Sequence, residues 1–236
     1  MQIEVLYPEQ CNLFGDLGNI RYLEKCLPDA QFISTSLNDV PAFASGSPDM
    51  IYMGACSERS QEKIIKCLKP YGDRLKALID SGTVVLFTGN APEVLYKYIE
   101  KDNKEHLECL GLFDFYAEQR LFERYNTLVL GKFGEHELLG FKTQFTQVYG
   151  DNSRNYFAKV ERGSGINKDS MLEGIHVGNC FLSSLVGPLL VMNPYFTEYI
   201  MELLGVSNPE CAFREQSIKA YNDRIADFRS CKLVSE

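Results

Sequence analysis

Short apolar runs alternate with helical patterns in the first ninety residues, and this alternation limits the possible folds more than any other feature of the sequence. Four runs have the length and composition of strands: residues 3–7, 31–37, 49–54 and 83–88. Apolar residues recur at near-helical intervals from Arg59 to Ile79. Strands separated by helices predict an α/β protein with a mostly parallel sheet and helices on both faces.

A tight turn follows the last of these early strands. Residues 84–99 read VVLFTGNAPEVLYKYI, which predicts a buried strand that passes through Gly89 and Asn90 into a helix. In many α/β enzymes a strand-to-helix elbow of this kind carries the nucleophile. Here the elbow offers a glycine and an asparagine, and neither is a ready nucleophile.

The second half of the chain has a different pattern. Residues 110–119, 126–133, 138–147 and 156–163 are rich in β-branched and aromatic side chains, with turn signals between them. This predicts an antiparallel extension of the sheet. A later helix is predicted from Asn193 as N-cap and Pro194 as first residue to Gly205 as the left-handed C′ residue. No repeat or linker is visible, so we expect one domain over residues 1–236.

The composition of the chain limits the classes of partner that it can bind. The chain has 32 acidic and 24 basic residues, a net charge of −8, which argues against a nucleic-acid partner. No apolar run approaches the roughly 18–20 residues of a membrane span, and the first residues follow a strand pattern instead of a signal peptide. We therefore expect a cytoplasmic protein without a membrane span.

The eight cysteines form no CxxC pair and no cluster with histidine. This spacing predicts neither a zinc site nor a redox motif, and we expect no metal and no cofactor. We expect most of the cysteines to be small buried apolar residues in a reducing compartment. They are Cys11, Cys26, Cys56, Cys67, Cys109, Cys180, Cys211 and Cys231.

Four segments in register carry a resemblance to a known family. They are YPEQCNLFGDLGN (7–19), GACSERSQ (54–61), GFKTQ (140–144) and SSLVGPLLVMNP (183–194). Together they resemble the class I glutamine amidotransferases of the cobyric-acid-synthase type, and most closely the glutaminase subunits of lipid II isoglutaminyl synthases. The resemblance implies a three-layer, flavodoxin-like α/β fold with a mostly parallel central sheet.

The resemblance also locates the catalytic positions, and both are substituted. Glutamine hydrolysis in this family needs a thiolate that attacks the amide and an imidazole that moves protons. The family's Ile-Cys-Gly-Gly elbow falls on residues 88–91, so Gly89 stands where the cysteine would be. The histidine of Leu-His-Gly-Pro falls on Val186. No cysteine lies between Cys67 and Cys109, so no shift in register restores the nucleophile.

At the other positions of the expected site, some family residues are retained and others are replaced. Gly54 and Asn90 correspond to the backbone elements that hold the oxyanion, and Cys56 is an alternative nucleophile in the same loop. Without an adjacent histidine its thiol stays protonated near neutral pH, so a space-filling role is favoured. Arg124 resembles the arginine that anchors the glutamine carboxylate, and the alternative is a surface arginine. Gln144 replaces a family histidine.

Two functional classes remain open from the sequence. The first is a catalytically silent amidotransferase-like subunit that binds a Mur-ligase-like synthetase, the partner that receives ammonia in this family and amidates a peptidoglycan precursor. Glutamine or a related amino acid is then a possible ligand. The second is an active glutaminase with a relocated nucleophile such as Cys56, since fold does not fix chemistry. The losses at Gly89 and Val186 favour the first class.

Overall fold

The computed structural model describes residues 1–230. The elements of the first half are β1 (Gln2–Leu6), α1 (Gly18–Cys26), β2 (Gln31–Thr35), β3 (Met50–Met53), α2 (Glu58–Leu68), α3 (Gly72–Asp80), β4 (Val84–Thr88), β5 (Tyr98–Glu100) and β6 (His106–Glu108). The second half contributes β7 (Tyr116–Gln119), β8 (Tyr125–Phe133), β9 (His136–Gln144), β10 (Thr146–Tyr149), β11 (Ala158–Arg162), β12 (Leu172–Glu173), β13 (Ile175–Val177), β14 (Cys180–Ser183), α4 (Leu189–Met192), α5 (Pro194–Leu203) and α6 (Arg214–Ser230).

The four early strands form one six-stranded sheet with the late strands β13 and β14, in the order β13-β14-β4-β3-β1-β2. Within residues 1–230, β2, β1, β3, β4 and β14 of this sheet pair in parallel, and β13 pairs with β14 in the antiparallel direction. Parallel strands place their carboxyl ends at the same edge of the sheet. The loops after β1, β3, β4 and β14 therefore meet there.

Alternate side chains of this sheet point into two apolar clusters, as the period of a strand requires. One cluster joins Ile51, Val85 and Phe87 to the buried stripe of α2 and α3. The other joins Tyr52 and Leu86 to α1, α4 and α5. Helices thus cover both faces, and the inner strands β3, β4 and β14 are buried throughout.

The remaining strands form two further four-stranded sheets, with the orders β10-β7-β5-β6 and β12-β11-β8-β9. The sequence pattern predicted that these strands would extend the main sheet. In the structure none of the predicted segments does so, and the antiparallel edge strand of the main sheet is β13, outside those segments. The long hairpin of β8 and β9 pairs instead with β11.

Two local predictions differ from the structure. The helix predicted after Asn90 is a short 3-10 turn over Ala91–Leu95. It ends early because Tyr98 and Ile99 pair with β6 and β7. Asn193 does precede Pro194 at the start of α5, but its side chain does not cap the helix. It hydrogen-bonds the backbone of Leu139 and Leu189 instead.

Other expectations are met within the described residues. Gly205 follows α5 with a φ of +84°. Of the seven described cysteines, all are free thiols, and five are buried: Cys11, Cys56, Cys109, Cys180 and Cys211. Cys231 lies outside the described residues. In residues 1–230, every helix is too short or too polar to cross a bilayer.

Candidate functional site

The candidate site lies at the carboxyl edge of the main sheet, where β4 ends. Gly89 follows β4 directly and has a φ of +65°, a backbone conformation that side chains with a Cβ rarely adopt. The chain thus keeps the sharp turn of a nucleophile elbow. It lacks the long helix behind it, because only the 3-10 turn over Ala91–Leu95 follows.

No space is left at Gly89 for a side chain. A Cβ at this position would lie 2.5 Å from the Cβ of Ala55 and 3.3 Å from Cγ1 of Val186. The two positions that the resemblance assigns to the cysteine and the histidine are therefore neighbours in space, and both are apolar. Ala55, which stands in the loop after β3, occupies the volume that a side chain at position 89 would need.

The backbone N–H groups of this loop already have acceptors. The Ala55 N–H donates to Oδ2 of the buried Asp16 at 2.8 Å. The Cys56 N–H donates to the side-chain Oδ1 of Asn90 at 2.9 Å, and Nδ2 of Asn90 donates back to the Cys56 carbonyl at 2.9 Å. Donors that are engaged in this way cannot stabilise an oxyanion until these bonds break.

Gly54 and Asp16 hold the loop after β3 in place. A Cβ at Gly54 would lie 2.7 Å from the carbonyl oxygen of Cys11, so only glycine allows the two loops to approach this closely. Asp16 also accepts from the hydroxyl of Thr88 and from Nδ2 of Asn19. Burial raises the pKa of Asp16, although these hydrogen bonds lower it in part. This network occupies the hydroxyl of Thr88 at the elbow.

Cys56 borders the cavity beside Gly89, but it lacks a base. The neighbouring Cys56 thiol, together with burial, raises the pKa of Cys11. Cys56 itself is 1% exposed. Among the described residues that line the cavity there is no histidine. A buried thiol without an imidazole to take its proton is a poor nucleophile.

The cavity has a volume of about 200 Å³ and brings together most of the expected site residues. Those that line it are Cys56, Gly89, Asn90, Arg124, Gln144 and Val186. Gly54 does not line it. Gln144 donates its side-chain amide to the carbonyl of Thr146 at 2.7 Å, so this group is held to the backbone. The side chain of Arg59 on α2 is exposed and forms no hydrogen bond with the described residues.

Arg124 enters the cavity wall with its guanidinium over the ring of Phe145, 4.7 Å from the ring centroid. This stacking holds the planar group without neutralising its charge. Within residues 1–230 Arg124 forms no salt bridge. Arg124 is nevertheless an exposed residue, so it lies at the rim of the cavity, as the surface-arginine alternative predicts.

Glu93 is a wall residue that the sequence did not single out. It is 3% exposed, and its carboxylate accepts from Nε2 of Gln61 at 2.8 Å and from the hydroxyl of Thr146. Burial raises the pKa of Glu93 to about 7 from 4.5, although these hydrogen bonds act in the opposite direction. Its place after Pro92 in a turn carries no sequence signal for burial.

A buried ion pair lies behind the cavity. Lys142 and Glu173 are both fully buried, with Nζ and Oε2 2.5 Å apart. Glu173 also accepts from Ser183 and from both the backbone and the hydroxyl of Ser184, which lines the cavity. Burial lowers the pKa of Lys142, and Glu173 opposes this effect. The pair fixes the segment that leads from β14 to Val186.

A larger open cleft of about 970 Å³ lies elsewhere, between β8, β11 and α5. It contains His136 and His176, which stack on Tyr195 and Phe181. We place the candidate site in the smaller cavity because the elbow and the charged wall residues meet there.

Comparison with known proteins finds relatives of one kind. No family model matches the sequence. The chain is 28% identical over 197 residues to the lipid II isoglutaminyl synthase (glutamine-hydrolyzing) subunit GatD of Staphylococcus aureus, covering 82% of this chain and 80% of the relative. It is 24% identical over 199 residues to the GatD subunit of Streptococcus pneumoniae, covering 82% and 76%. The fold is similar to a crystal structure of a glutamine amidotransferase, with a TM-score of 0.56 and 16% identity over 86% of this chain and 99% of that one.

These similarities support a glutamine-amidotransferase-like family. The mixed α/β architecture of the chain agrees with such a family.

Proposed function

We propose that this chain is a catalytically silent amidotransferase-like subunit that binds a Mur-ligase-like synthetase in the amidation of a cell-wall precursor. The observation that carries the proposal is the contact between Gly89, Ala55 and Val186. In an active site of this family a thiolate and an imidazole would face each other at this place. Here two apolar groups and a glycine fill it, and the covalent route has neither nucleophile nor base.

The engaged loop amides support the same proposal. Rate acceleration in acyl transfer depends on N–H donors that are preorganised for the developing oxyanion. Asp16 and Asn90 already accept from Ala55 and Cys56. Even with a new nucleophile, the site would have to break these bonds before it could act. The alternative of a reaction at Cys56 finds no supporting contact.

The partner part of the proposal rests on the relatives. Both GatD proteins are named as subunits of a glutamine-hydrolyzing synthase. A chain that keeps this fold without the dyad can still dock on the synthetase subunit. We further propose a single domain over residues 1–236, a flavodoxin-like three-layer arrangement and a cytoplasmic location. The helix packing on both faces of the main sheet supports the layer arrangement.

Purification of a tagged copy from its own host tests the partner directly. We expect a Mur-ligase-like synthetase at near-stoichiometric yield. If the tagged chain is recovered without any such protein, the partner proposal is wrong. Release of glutamate from glutamine by the pure chain, abolished by Cys56→Ala, would contradict the silent site.

A further inference from the structure

Two cysteines lie close together at the edge of the main sheet that is opposite the cavity. Cys26 is the last residue of α1, and Cys211 lies in the connection between α5 and α6. Because α1 runs from the carboxyl end of β1 to the amino end of the parallel strand β2, Cys26 lies at the amino edge of the sheet. Neither cysteine lines the cavity beside Gly89. The pair therefore belongs to a region that the proposed function does not use.

The backbone of the connection brings the two cysteines together. The N–H of Ala212 donates to Sγ of Cys26 at 3.2 Å. This nitrogen is two covalent bonds from the Cα of Cys211, so standard bond lengths place Sγ of Cys26 within about 6 Å of that Cα. Residues joined by a disulfide have Cα atoms about 4.4–6.8 Å apart, a separation that this contact allows.

Tyr22 holds the connection against α1. It precedes Cys26 by one helical turn, so the two side chains share a face of the helix. Its hydroxyl donates to the carbonyl of Ala212 at 2.9 Å and lies 2.9 Å from Oγ of Ser217 on α6. Burial raises the pKa of the Tyr22 hydroxyl, and the neighbouring Cys211 thiol raises it further. The Cys211 thiol thus lies on the same side of α1 as Cys26.

The two thiols differ in exposure. Cys26 is partly exposed, whereas Cys211 is 3% exposed, and both are free thiols. A small disulfide can therefore reach Cys26 first, and Cys211 needs only to attack a neighbouring sulfur inside the protein. Burial raises the pKa of Cys26, and the N–H of Ala212 opposes this effect because it stabilises the thiolate.

In the reduced chain, polar contacts near the surface hold the start of α6. Arg214 pairs with α5 through a side chain that is 42% exposed, and exposed ion pairs stabilise little. Phe213, the residue before α6, is 69% exposed and has a φ of +54°. The buried apolar residues of α6 begin only at Tyr221, two turns into the helix. A covalent bond between the two cysteines would fix this start to α1.

We propose that Cys26 and Cys211 form a reversible disulfide that tethers the start of α6 to α1 when the surrounding pool of small thiols becomes oxidised. Disulfides in a reducing compartment are usually transient or redox-sensing, which fits a bond that forms only under oxidation. The tether involves neither the elbow nor the cavity, so the inference does not depend on the proposed function.

The oxidant is a low-molecular-weight disulfide, and the bond forms in two exchange steps. The Cys26 thiolate attacks one sulfur of the small disulfide, whose S–S bond breaks, and one small thiolate leaves. The Cys211 thiolate then attacks the sulfur of Cys26, and the second small thiolate leaves. Two protein thiols are oxidised, the small disulfide is reduced to two thiols, and these take up the two protons.

Peptide mapping of the full chain tests the bond. We would treat the folded chain with oxidised glutathione, block the remaining thiols with N-ethylmaleimide and digest it without reduction. We expect a linked peptide that contains Cys26 and Cys211, and recovery of both thiols with dithiothreitol. Because a bond between residues so distant in sequence restricts the unfolded chain, the oxidised chain should melt about 5–10 °C higher than the reduced chain.

Three variants assign the bond. Cys26→Ser and Cys211→Ser should each abolish both the linked peptide and the rise in melting temperature. Cys67→Ser removes another partly exposed thiol, on α2, and should change neither. Circular dichroism of the reduced variants shows whether each is folded, and the linked peptide of the wild type is measured without any variant.

The proposal is overturned if the folded chain forms no linked peptide, if it carries only glutathione attached to Cys26, or if the link forms only in urea. A linked chain that melts at the same temperature as the reduced chain also overturns it. So does loss of the link in Cys67→Ser to the same extent as in Cys26→Ser.

Discussion

Gly89→Ala measures the free-energy cost of placing a side chain at the elbow. The φ of +65° at this position costs a residue with a Cβ about 1–2 kcal/mol. The new Cβ would also lie 2.5 Å from that of Ala55, in a packed region where overpacking costs about 1–3 kcal/mol. We expect a loss of about 2–5 kcal/mol in the free energy of unfolding, measured by urea denaturation followed by circular dichroism.

Gly111→Ala is the matched control. Gly111 has a φ of +70°, and a Cβ there would meet nothing within 4 Å, so only the backbone strain of about 1–2 kcal/mol remains. In an Ala55→Gly background the 2.5 Å contact with the Ala55 Cβ disappears, while the Ala55 Cα at 3.1 Å and Cγ1 of Val186 at 3.3 Å remain, and the cycle should give a coupling of about 1–3 kcal/mol. Equal losses for Gly89→Ala and Gly111→Ala, with no coupling to Ala55, would refute the reasoning.

Two further predictions concern buried charges. In the folded chain the pKa of Glu93 is raised to about 7 from 4.5. As the pH rises from 4.5 to about 7, the Glu93 carboxyl therefore ionises first in the unfolded chain, and the free energy of unfolding falls. Glu93→Gln should remove this decrease of about 3 kcal/mol, which is measured by urea unfolding at low and at high pH. If the variant keeps the pH dependence of the wild type, the prediction is wrong. Lys142→Met leaves the Glu173 carboxylate buried without its partner and should cost about 3–5 kcal/mol, whereas adding Glu173→Gln should recover part of the loss. If the double variant is no more stable than Lys142→Met, the pair does not act as described.

The regular elements of the first half follow from sequence pattern because each has a clear period. Strands β3 and β4 are apolar runs, and the helical pattern of α2 and α3 breaks at Pro70, between the two helices. The predicted helix after Asn90 failed for a reason that lies outside the segment. Tyr98 and Ile99 find strand partners that a local pattern cannot show.

The candidate site was only partly predictable. The resemblance located Gly89 and Val186, and the structure brings them together. The blocking methyl of Ala55 is a tertiary contact between the ends of two strands, and no local signal marks it. Glu93 was missed because a glutamate in a turn is usually exposed. Its burial depends on Thr146, fifty-three positions away.

The central claim is that the elbow carries no reaction, and glutamine turnover tests it most directly. We would measure steady-state release of glutamate from glutamine by the chain purified from its host, alone and together with any synthetase that accompanies it. The account predicts no release attributable to this chain in either sample. Sustained release that stays with the pure chain would contradict it.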